Sequence, residues 1–216
     1  MDVEKILNLG GPLLLGAVTT VEITLASLLV AVVLGLGLAL LKLTRFRALH
    51  WLIDAYVELF RNTPVLAQLF LIYFGLAYMG FKITAFPAAI IGLGLNGGAI
   101  LTEVFRAGFS AIHHGQREAA LAVGMTPWAS MRYIILPQTW RITLPPLGNY
   151  AIALLKDTAV VSAIAAPEIM FYARNLVTST FETTLVYVLA AALYFCLSFP
   201  LARLVSRFER RQRAWQ

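Results

Sequence analysis

Long apolar stretches constrain this chain more than any other feature of its sequence. Five of them approach or exceed the length of about 20 residues that a helix needs to cross the hydrocarbon core of a bilayer. They cover roughly residues 13–41, 64–81, 86–105, 143–166 and 184–205. Because lipid offers no partner to unpaired backbone groups, such spans must be helices. The sequence therefore predicts an all-α membrane protein with five transmembrane helices.

The composition agrees with an integral membrane protein of one domain, residues 1–216. Of the 216 residues, 60% are hydrophobic and 13% are charged, and the mean hydropathy is +0.79. Soluble domains are about 45–50% apolar and about 25% charged. The basic residues form no patch interleaved with aromatic residues, so the expected partner is the lipid bilayer and not nucleic acid. His113 and His114 lack a third ligand nearby, and we interpret them as solvated loop residues and expect no metal site.

The distribution of positive charge predicts the orientation. Most of the 17 lysines and arginines fall between spans one and two, between spans three and four, or in the C-terminal tail. These residues are Lys42, Arg45, Arg47, Arg61, Arg106, Arg117, Arg132, Arg141, Arg203, Arg207, Arg210, Arg211 and Arg213. Cytoplasmic loops carry an excess of Lys and Arg. We therefore expect the N-terminus outside, the C-terminus in the cytoplasm, and a first span that is retained.

Two segments are less apolar than the spans. In residues 46–61, apolar residues recur at helical spacing with charged residues between them. This pattern fits either an interfacial helix that leads into span two or the start of one long, tilted second helix. Residues 167–183 mix charged residues with threonine and serine, which predicts an outer loop with a short helix.

The segment of about residues 109–138 is polar, basic and rich in turn signals. Residues 116–123 favour a helix, and Gly124 can end it in a left-handed conformation. Thr126 and Pro127 then form a start signal for a second short helix. Pro137 is expected to end that helix, because the residue before a proline avoids helical geometry. The sequence predicts two short helices joined by a glycine hinge.

This loop also carries a spaced motif, E-A-A-x3-G-x9-I-x-L-P. Its residues are Glu118, Ala119, Ala120, Gly124, Ile134, Leu136 and Pro137. The motif resembles the cytoplasmic loop through which the permeases of ABC importers bind a separate ATPase.

Elsewhere the chain resembles the polar amino acid branch of these permeases, over about residues 15–205. The stretches that match are YVELFRNTP with Gln68, the run from Glu103 through Gly108, GQ before Glu118, ILPQ, PPLGN and KDT. The departures are Asn62 where glycine is usual, His113-His114 where Pro-Lys is common, and Ala159 where serine commonly follows KDT.

The resemblance implies a type I ABC importer permease fold in the bacterial inner membrane. It implies that the chain forms half of the translocation pathway of a polar amino acid importer. The implied partners are two ABC ATPases, a second permease copy or a paralogue, and an extracytoplasmic amino acid-binding protein. We expect the residues of the spaced motif to dock the ATPase, with Glu118 as an ionic anchor. The chain lacks the G-x4-G-K-[ST] sequence that cradles ATP phosphates, so we expect no enzymatic activity and no cofactor here, with ATP on the partner.

Candidate pathway residues follow from polar groups within apolar runs. They are Lys156, Asp157, Thr158, Ser162, Asn96 and Glu22. Ionisable groups inside a membrane nearly always face a cavity or a partner, and a zwitterionic amino acid could satisfy both Lys156 and Asp157. The alternative is that this pair only neutralises neighbouring helices. Asn96 could instead pack helices together, and Glu22 could simply reach the interface.

Two further expectations concern charged residues. In a rival interpretation the chain is a stand-alone ion-coupled secondary transporter that uses Lys156 and Asp157 as its ion site. The absence of an inverted repeat and the organised basic loop argue against it. Glu58 with Arg61, and Glu103 with Arg106, have the i,i+3 spacing of helix ion pairs that could clamp the docking loop.

Overall fold

The computed structural model describes the backbone of residues 3–213 and the side chains of residues 8–210, so the side chains of Arg211 and Arg213 lie outside it. Within that part of the chain every regular element is a helix. In order, the elements are α1 (Val3–Leu41), α2 (Arg47–Arg61), α3 (Val65–Phe70), a π-helical turn (Leu71–Gly75), α4 (Leu76–Tyr78), α5 (Ala85–Ser110), α6 (His114–Ala122), α7 (Pro127–Ser130), a second π-helical turn (Met131–Ile135), α8 (Leu136–Asp157), a 3-10 helix (Thr158–Ile164), α9 (Ile169–Thr180) and α10 (Thr183–Arg213). The all-helical class is as predicted.

Four helical runs are long and apolar enough to cross a membrane. They cover Asn8–Leu41, Ala85–Ser110, Pro127–Ile164 and Thr183–Arg210. A fifth crossing exists if α2 and the run Val65–Tyr78 are taken together as one span, and these two are bent by 105°. The break lies at the start of the predicted second span, about residues 64–81, whose helical part is the run Val65–Tyr78. The bend also shows that α2 is a separate helix and not the straight beginning of a long second helix.

The break between α2 and α3 is held by two amide side chains. Pro64 has no backbone N–H and disfavours helical geometry at Thr63, so backbone carbonyls here lose their helical donors. Gln68 Nε2 donates to Phe60 O at 2.8 Å and to Thr63 O at 3.1 Å. Asn96 Nδ2, from α5, donates to Phe60 O at 3.0 Å and to Gln68 Oε1 at 3.1 Å. The freed carbonyls are thus satisfied inside the protein, as lipid requires.

Helices α1 and α5 form the centre of the fold and approach closely because α5 is rich in glycine. A Cβ atom at Gly97 would lie 2.7 Å from Ala31 Cβ, and one at Gly94 would lie 2.6 Å from Val30 Cγ1. Both distances are too short for any side chain, so these glycines permit the contact. The core around them includes Ile23, Leu69, Ala88, Leu93, Leu154 and Val161.

The prediction that Pro137 ends a short helix is wrong. The chain remains helical from Pro127 to Ile164, with Ile135 and Leu136 both in right-handed helical geometry. A proline inside a regular helix leaves one carbonyl without a donor and clashes with the carbonyl four residues earlier. The wider π-helical turn that immediately precedes Pro137 is the kind of local adjustment that accommodates it. The connecting segment is consequently shorter than expected, and residues 127–138 already belong to the fourth helical run.

A buried carboxylate joins three helices at the start of α9. Glu168 is fully buried and accepts hydrogen bonds from the N–H groups of Met170 at 2.9 Å and Phe171 at 2.8 Å. The Tyr194 hydroxyl of α10 donates to it at 2.5 Å, and Thr20 of α1 accepts from Ile169 N at 3.4 Å. Burial raises the pKa of the Glu168 carboxyl, although these hydrogen bonds oppose the shift. The short helix expected within residues 167–183 is therefore present, with Glu168 as its cap.

Candidate docking loop and translocation pathway

Helix α6 ends in a turn that only a few residue types can form. Gly124 has φ +80°, a left-handed conformation that glycine adopts without strain. Its N–H donates to Leu121 O at 3.0 Å, and the Met125 N–H donates to Ala120 O at 3.0 Å. These two bonds are those of a Schellman motif, which satisfies the last carbonyls of a helix. The predicted glycine hinge is confirmed, and it is closed by backbone bonds.

The other end of the turn is also fixed. Thr126 Oγ1 accepts from Ala129 N at 3.2 Å and so caps α7, as the sequence predicted. Gln138 Nε2 donates to Gln116 Oε1 at 3.2 Å and to Ile134 O at 3.0 Å, which fastens α6 to the fourth helical run. Helix α6 and this run therefore form a defined elbow around Gly124.

The motif residues divide into those that build the elbow and those that reach its surface. Ala120 is buried, and Ile134 and Leu136 are half-buried against the core cluster that contains Leu101 and Phe105. Glu118, Ala119, Gly124 and Pro137 are exposed. The Glu118 carboxylate lies 3.1 Å from His114 Nδ1, and His113 Nδ1 accepts from Gly115 N at 3.2 Å.

The structure adds four exposed apolar side chains that sequence reasoning did not single out. Around Gly124, the exposed fractions are 77% for Val123, 71% for Trp128, 66% for Tyr133 and 53% for Leu121. Exposed apolar groups clustered in this way mark interaction sites. The sequence contained one signal for this surface, namely large apolar residues in a loop that was expected to lie in water. We call Glu118, Leu121, Val123, Trp128 and Tyr133 the docking surface.

A cleft of about 350 Å³ lies beside the elbow, between the ends of α1 and α5 and the start of α6. Its lining residues are Leu43, Phe109, Ser110, Ile112, His114 and Arg117. The cleft is thus a recess next to the docking surface, with the exposed Arg117 in its lining.

A group of ion pairs lies at the base of the elbow. Arg106 Nε donates to the two carboxylate oxygens of Glu103 at 2.9 and 3.1 Å, which confirms that predicted pair. Lys42, just after α1, pairs with Asp54 of α2 and lies 3.8 Å from Glu103 Oε1. The ends of α1, α2 and α5 are therefore connected. The expected pair of Glu58 with Arg61 does not form among the described residues, because Glu58 Oε2 accepts from Asn62 Nδ2 at 2.6 Å.

The candidate pathway residues around the end of α8 differ in accessibility. Lys156 and Asp157 are exposed, and neither forms an ion pair within the part of the chain that is described. Thr158 is buried and donates to Leu155 O at 2.7 Å. Ser162 is half-buried and donates to Ala159 O at 2.8 Å. The two charged groups are thus the ones free to meet a solute, whereas both hydroxyls are turned toward the backbone.

The remaining two candidates lie apart from this group. Asn96 Nδ2 donates both of its hydrogen bonds at the break between α2 and α3. This is the packing role that the sequence left open. Glu22 is exposed on α1 in a row with the exposed residues Val18, Leu25 and Leu29. No hydrogen bond or ion pair connects either of them to Lys156 or Asp157 among the described residues.

The described part of the chain is thus an all-helical membrane protein with a preformed elbow that carries exposed apolar side chains. The comparisons with known proteins agree. Residues 31–214 match the family described as binding-protein-dependent transport system inner membrane component. The arginine transport system permease protein ArtQ of Bacillus subtilis strain 168 is 34% identical over 197 residues, covering 91% of this chain and 90% of that protein. The L-cystine transport system permease protein TcyB of the same strain is 35% identical over 202 residues, covering 93% and 86%.

A solved structure described as an amino acid ABC transporter with histidines is also similar. One of its chains shares 36% sequence identity with this chain at a TM-score of 0.90, and the match covers 98% of this chain and 99% of that one. This chain therefore belongs to the family of binding-protein-dependent transport system inner membrane components. It is a multi-pass inner-membrane permease subunit with the type I ABC importer fold. None of these relatives supports the ion-coupled alternative.

Proposed function

We propose that this chain forms half of the translocation pathway of an ATP-driven importer for polar amino acids. The observation that carries the proposal is the preformed elbow, whose exposed Glu118, Leu121, Val123 and Trp128 have the character of a protein-binding surface. The printed names of the relatives, which include arginine and cystine permeases, support amino acids as the class of cargo.

The proposed assembly contains two ATPase subunits, a second permease copy or a paralogue, and an extracytoplasmic amino acid-binding protein. ATP binds to and is hydrolysed by the ATPases, and this chain holds no cofactor. The sequence supports this division of labour because it lacks a phosphate-binding loop. A two-fold arrangement is expected, because five spans are few to enclose a polar path.

In the proposed mechanism, movement of the ATPases is passed to the membrane through the fourth helical run. The elbow is fastened to this run by Gln138, and α8 continues from it for 22 residues to Asp157. At 1.5 Å per residue, α8 is about 33 Å long. A displacement of the docking surface would therefore move Lys156 and Asp157 at the other end of α8. This movement would open the translocation pathway alternately to the two sides of the membrane.

Lys156 and Asp157 are proposed to contact the amino acid. The Lys156 ammonium group would bind the substrate carboxylate, and the Asp157 carboxylate would bind the substrate ammonium group. Their lack of an ion-pair partner among the described residues supports this role over mutual neutralisation of neighbouring helices.

Docking can be tested by extracting the tagged chain gently from its native membrane and identifying the co-purifying proteins by mass spectrometry. We expect an ATPase with the wild-type chain and a loss of at least tenfold of that ATPase with Glu118→Lys or Gly124→Val, a change of about 1.4 kcal/mol. Gly124→Val places a β-branched residue at positive φ, which costs about 1–2 kcal/mol.

Two conservative variants serve as controls. Glu118→Asp keeps the charge, and Gly124→Asn keeps the turn because asparagine tolerates the left-handed region. Both should retain the ATPase. If both Glu118→Lys and Gly124→Val recovered as much ATPase as the wild-type chain, the docking proposal would be contradicted. It would also be contradicted if the purified chain alone catalysed uptake that depends on an ion gradient.

A further inference from the structure

Helix α2 has three faces where a helix at the surface of a globular protein has two. One face is buried against α5 and includes Ile53 and Val57, each 3% exposed. A second face is polar and exposed, with Arg47, Asp54, Glu58 and Arg61 at helical spacing. The third face is apolar and also exposed. It consists of Ala48, Trp51, Leu52, Ala55 and Leu59, with exposed fractions of 71%, 59% and 60% for Trp51, Leu52 and Leu59.

The two exposed faces require two different surroundings at the same depth. The polar face needs water, because unpaired charges in hydrocarbon are costly. The apolar face needs an apolar environment, since it forms a continuous patch. A helix that satisfies both requirements lies along the boundary between the bilayer and the aqueous phase. The 105° bend between α2 and the run Val65–Tyr78 allows this, because the two cannot both follow the bilayer normal.

The charged residues at the beginning of α2 indicate which kind of lipid headgroup this helix would meet at the boundary. Asp54 is paired with Lys42, but no carboxylate forms an ion pair with Arg45 or Arg47 among the described residues. Both arginines are exposed, and Phe46 between them is 73% exposed. Trp51 follows one turn later, and tryptophan is enriched where membranes meet water. Unpaired arginines beside exposed aromatic residues are complementary to anionic lipid headgroups.

We infer that α2 and the turn before it form a lipid-binding surface on the docking-loop side of the bilayer. Trp51, Leu52 and Leu59 insert into the boundary of headgroups and acyl chains, and Arg45 and Arg47 bind the phosphates of anionic lipids. A second copy of this chain fits the surface less well, because a two-fold contact through it would bring the unpaired arginines of both copies together. This lipid site is connected to the base of the elbow through Lys42, Asp54 and Glu103.

The position of Trp51 can be measured by fluorescence quenching in reconstituted vesicles. The full-length chain is placed in phosphatidylcholine vesicles whose lipids carry bromine at either a shallow or a deep acyl position. We expect the emission of a variant with Trp51 as its only tryptophan to be quenched several-fold more by shallow than by deep bromines. The matched variant with only Trp128, which lies on the docking surface and is equally exposed, should be quenched by neither.

If removing the other tryptophans prevents folding, the difference in emission between the wild-type chain and Trp51→Phe gives the same information with a single substitution. Emission from Trp51 that lipid bromines leave unchanged overturns the inference, and it would then point to water or a second copy over this face.

The role of the arginines is tested with spin-labelled phosphatidylglycerol in the same vesicles. A basic residue near an anionic surface contributes about 1 kcal/mol, so the preference for phosphatidylglycerol should fall about fivefold for each arginine replaced by glutamine. The variant Arg45→Lys/Arg47→Lys keeps the charge and should keep the preference. An unchanged preference in Arg45→Gln/Arg47→Gln overturns the assignment of these residues to lipid phosphates.

Discussion

Among single residues, Glu168 combines full burial with three hydrogen bonds to its carboxylate. Removing a carboxylate from water is expensive unless hydrogen bonds replace the lost hydration. Glu168 obtains these bonds from two backbone N–H groups at the start of α9 and from the Tyr194 hydroxyl. Its burial would otherwise have no explanation, and its effect is to fix α9 between α1 and α10.

The raised pKa of Glu168 predicts a dependence of stability on pH. A carboxyl whose pKa is raised in the folded state binds its proton more tightly there than in the unfolded chain. Its contribution is therefore fully present below the unfolded value, about 4.3, and is lost as the pH rises through the folded pKa. The slope is at most about 1.4 kcal/mol per pH unit. Thermal unfolding of the purified chain over a series of pH values measures it.

Glu168→Gln should remove this slope, because glutamine does not titrate, while its carbonyl oxygen still accepts one of the cap bonds. A Glu168→Gln chain whose unfolding midpoint follows pH as the wild type does would show that another group is responsible.

Among the elements, the break between α2 and α3 depends on contacts between distant parts of the sequence. Gln68 and Asn96 are 28 residues apart, and together they satisfy Phe60 O and Thr63 O at the break. The amide nitrogens of both side chains already donate to acceptors within the protein. Asn96 is therefore better described as a structural residue of the break than as a pathway residue.

A double-mutant cycle tests this description. Asn96→Ala and Gln68→Ala should each destabilise the chain by about 1–3 kcal/mol, because each leaves a buried polar group unsatisfied. The double variant should cost less than the sum, with a coupling of about 0.5–3 kcal/mol, since the two side chains share one network. Unfolding in a graded denaturant series provides the free energies. Additive effects, or a change in substrate preference without a loss of stability, would contradict the structural role.

Local rules predicted the elements whose signals are local. The Gly124 turn, the Thr126 cap and four of the five apolar runs each depend on adjacent residues, and the structure confirms them. The continuation of the helix through Pro137 could not be predicted in this way. It involves a π-helical turn in the preceding residues, which depends on the packing of the whole helix. The division of the motif into buried Ala120 and exposed Glu118 also required the fold, since both lie on the same short helix.

In the whole molecule, the docking surface lies around the beginning of the fourth helical run, and the charged pair lies at the end of α8 within the same run. The elbow precedes α8, and Lys156 and Asp157 are the last two residues of α8. The roles proposed for the two groups can therefore be tested separately, because no hydrogen bond or ion pair among the described residues joins them directly.

Asp157→Asn should impair amino acid uptake while leaving the assembly unaffected. Loss of one charged hydrogen bond costs about 1.5–3 kcal/mol, which corresponds to an increase in KM of about ten- to a hundredfold. Uptake by the complete reconstituted transporter measures KM, and recovery of the co-purifying ATPase measures assembly. Asp157→Glu retains the charge and should lie close to the wild type. A reduced recovery of the ATPase with Asp157→Asn, or an unchanged KM, would show that the pair is structural.

The backbone bonds that close the Gly124 turn have a consequence for how such transporters diversify. Backbone bonds among Ala120, Leu121, Gly124 and Met125 fix the shape of the elbow, and none of them involves Lys156 or Asp157. In the proposed assembly, the fit to an ATPase would therefore not depend on what is carried. Substitutions near Asp157 would alter the cargo without altering the proposed docking surface, so that one ATPase would serve several permeases of this kind.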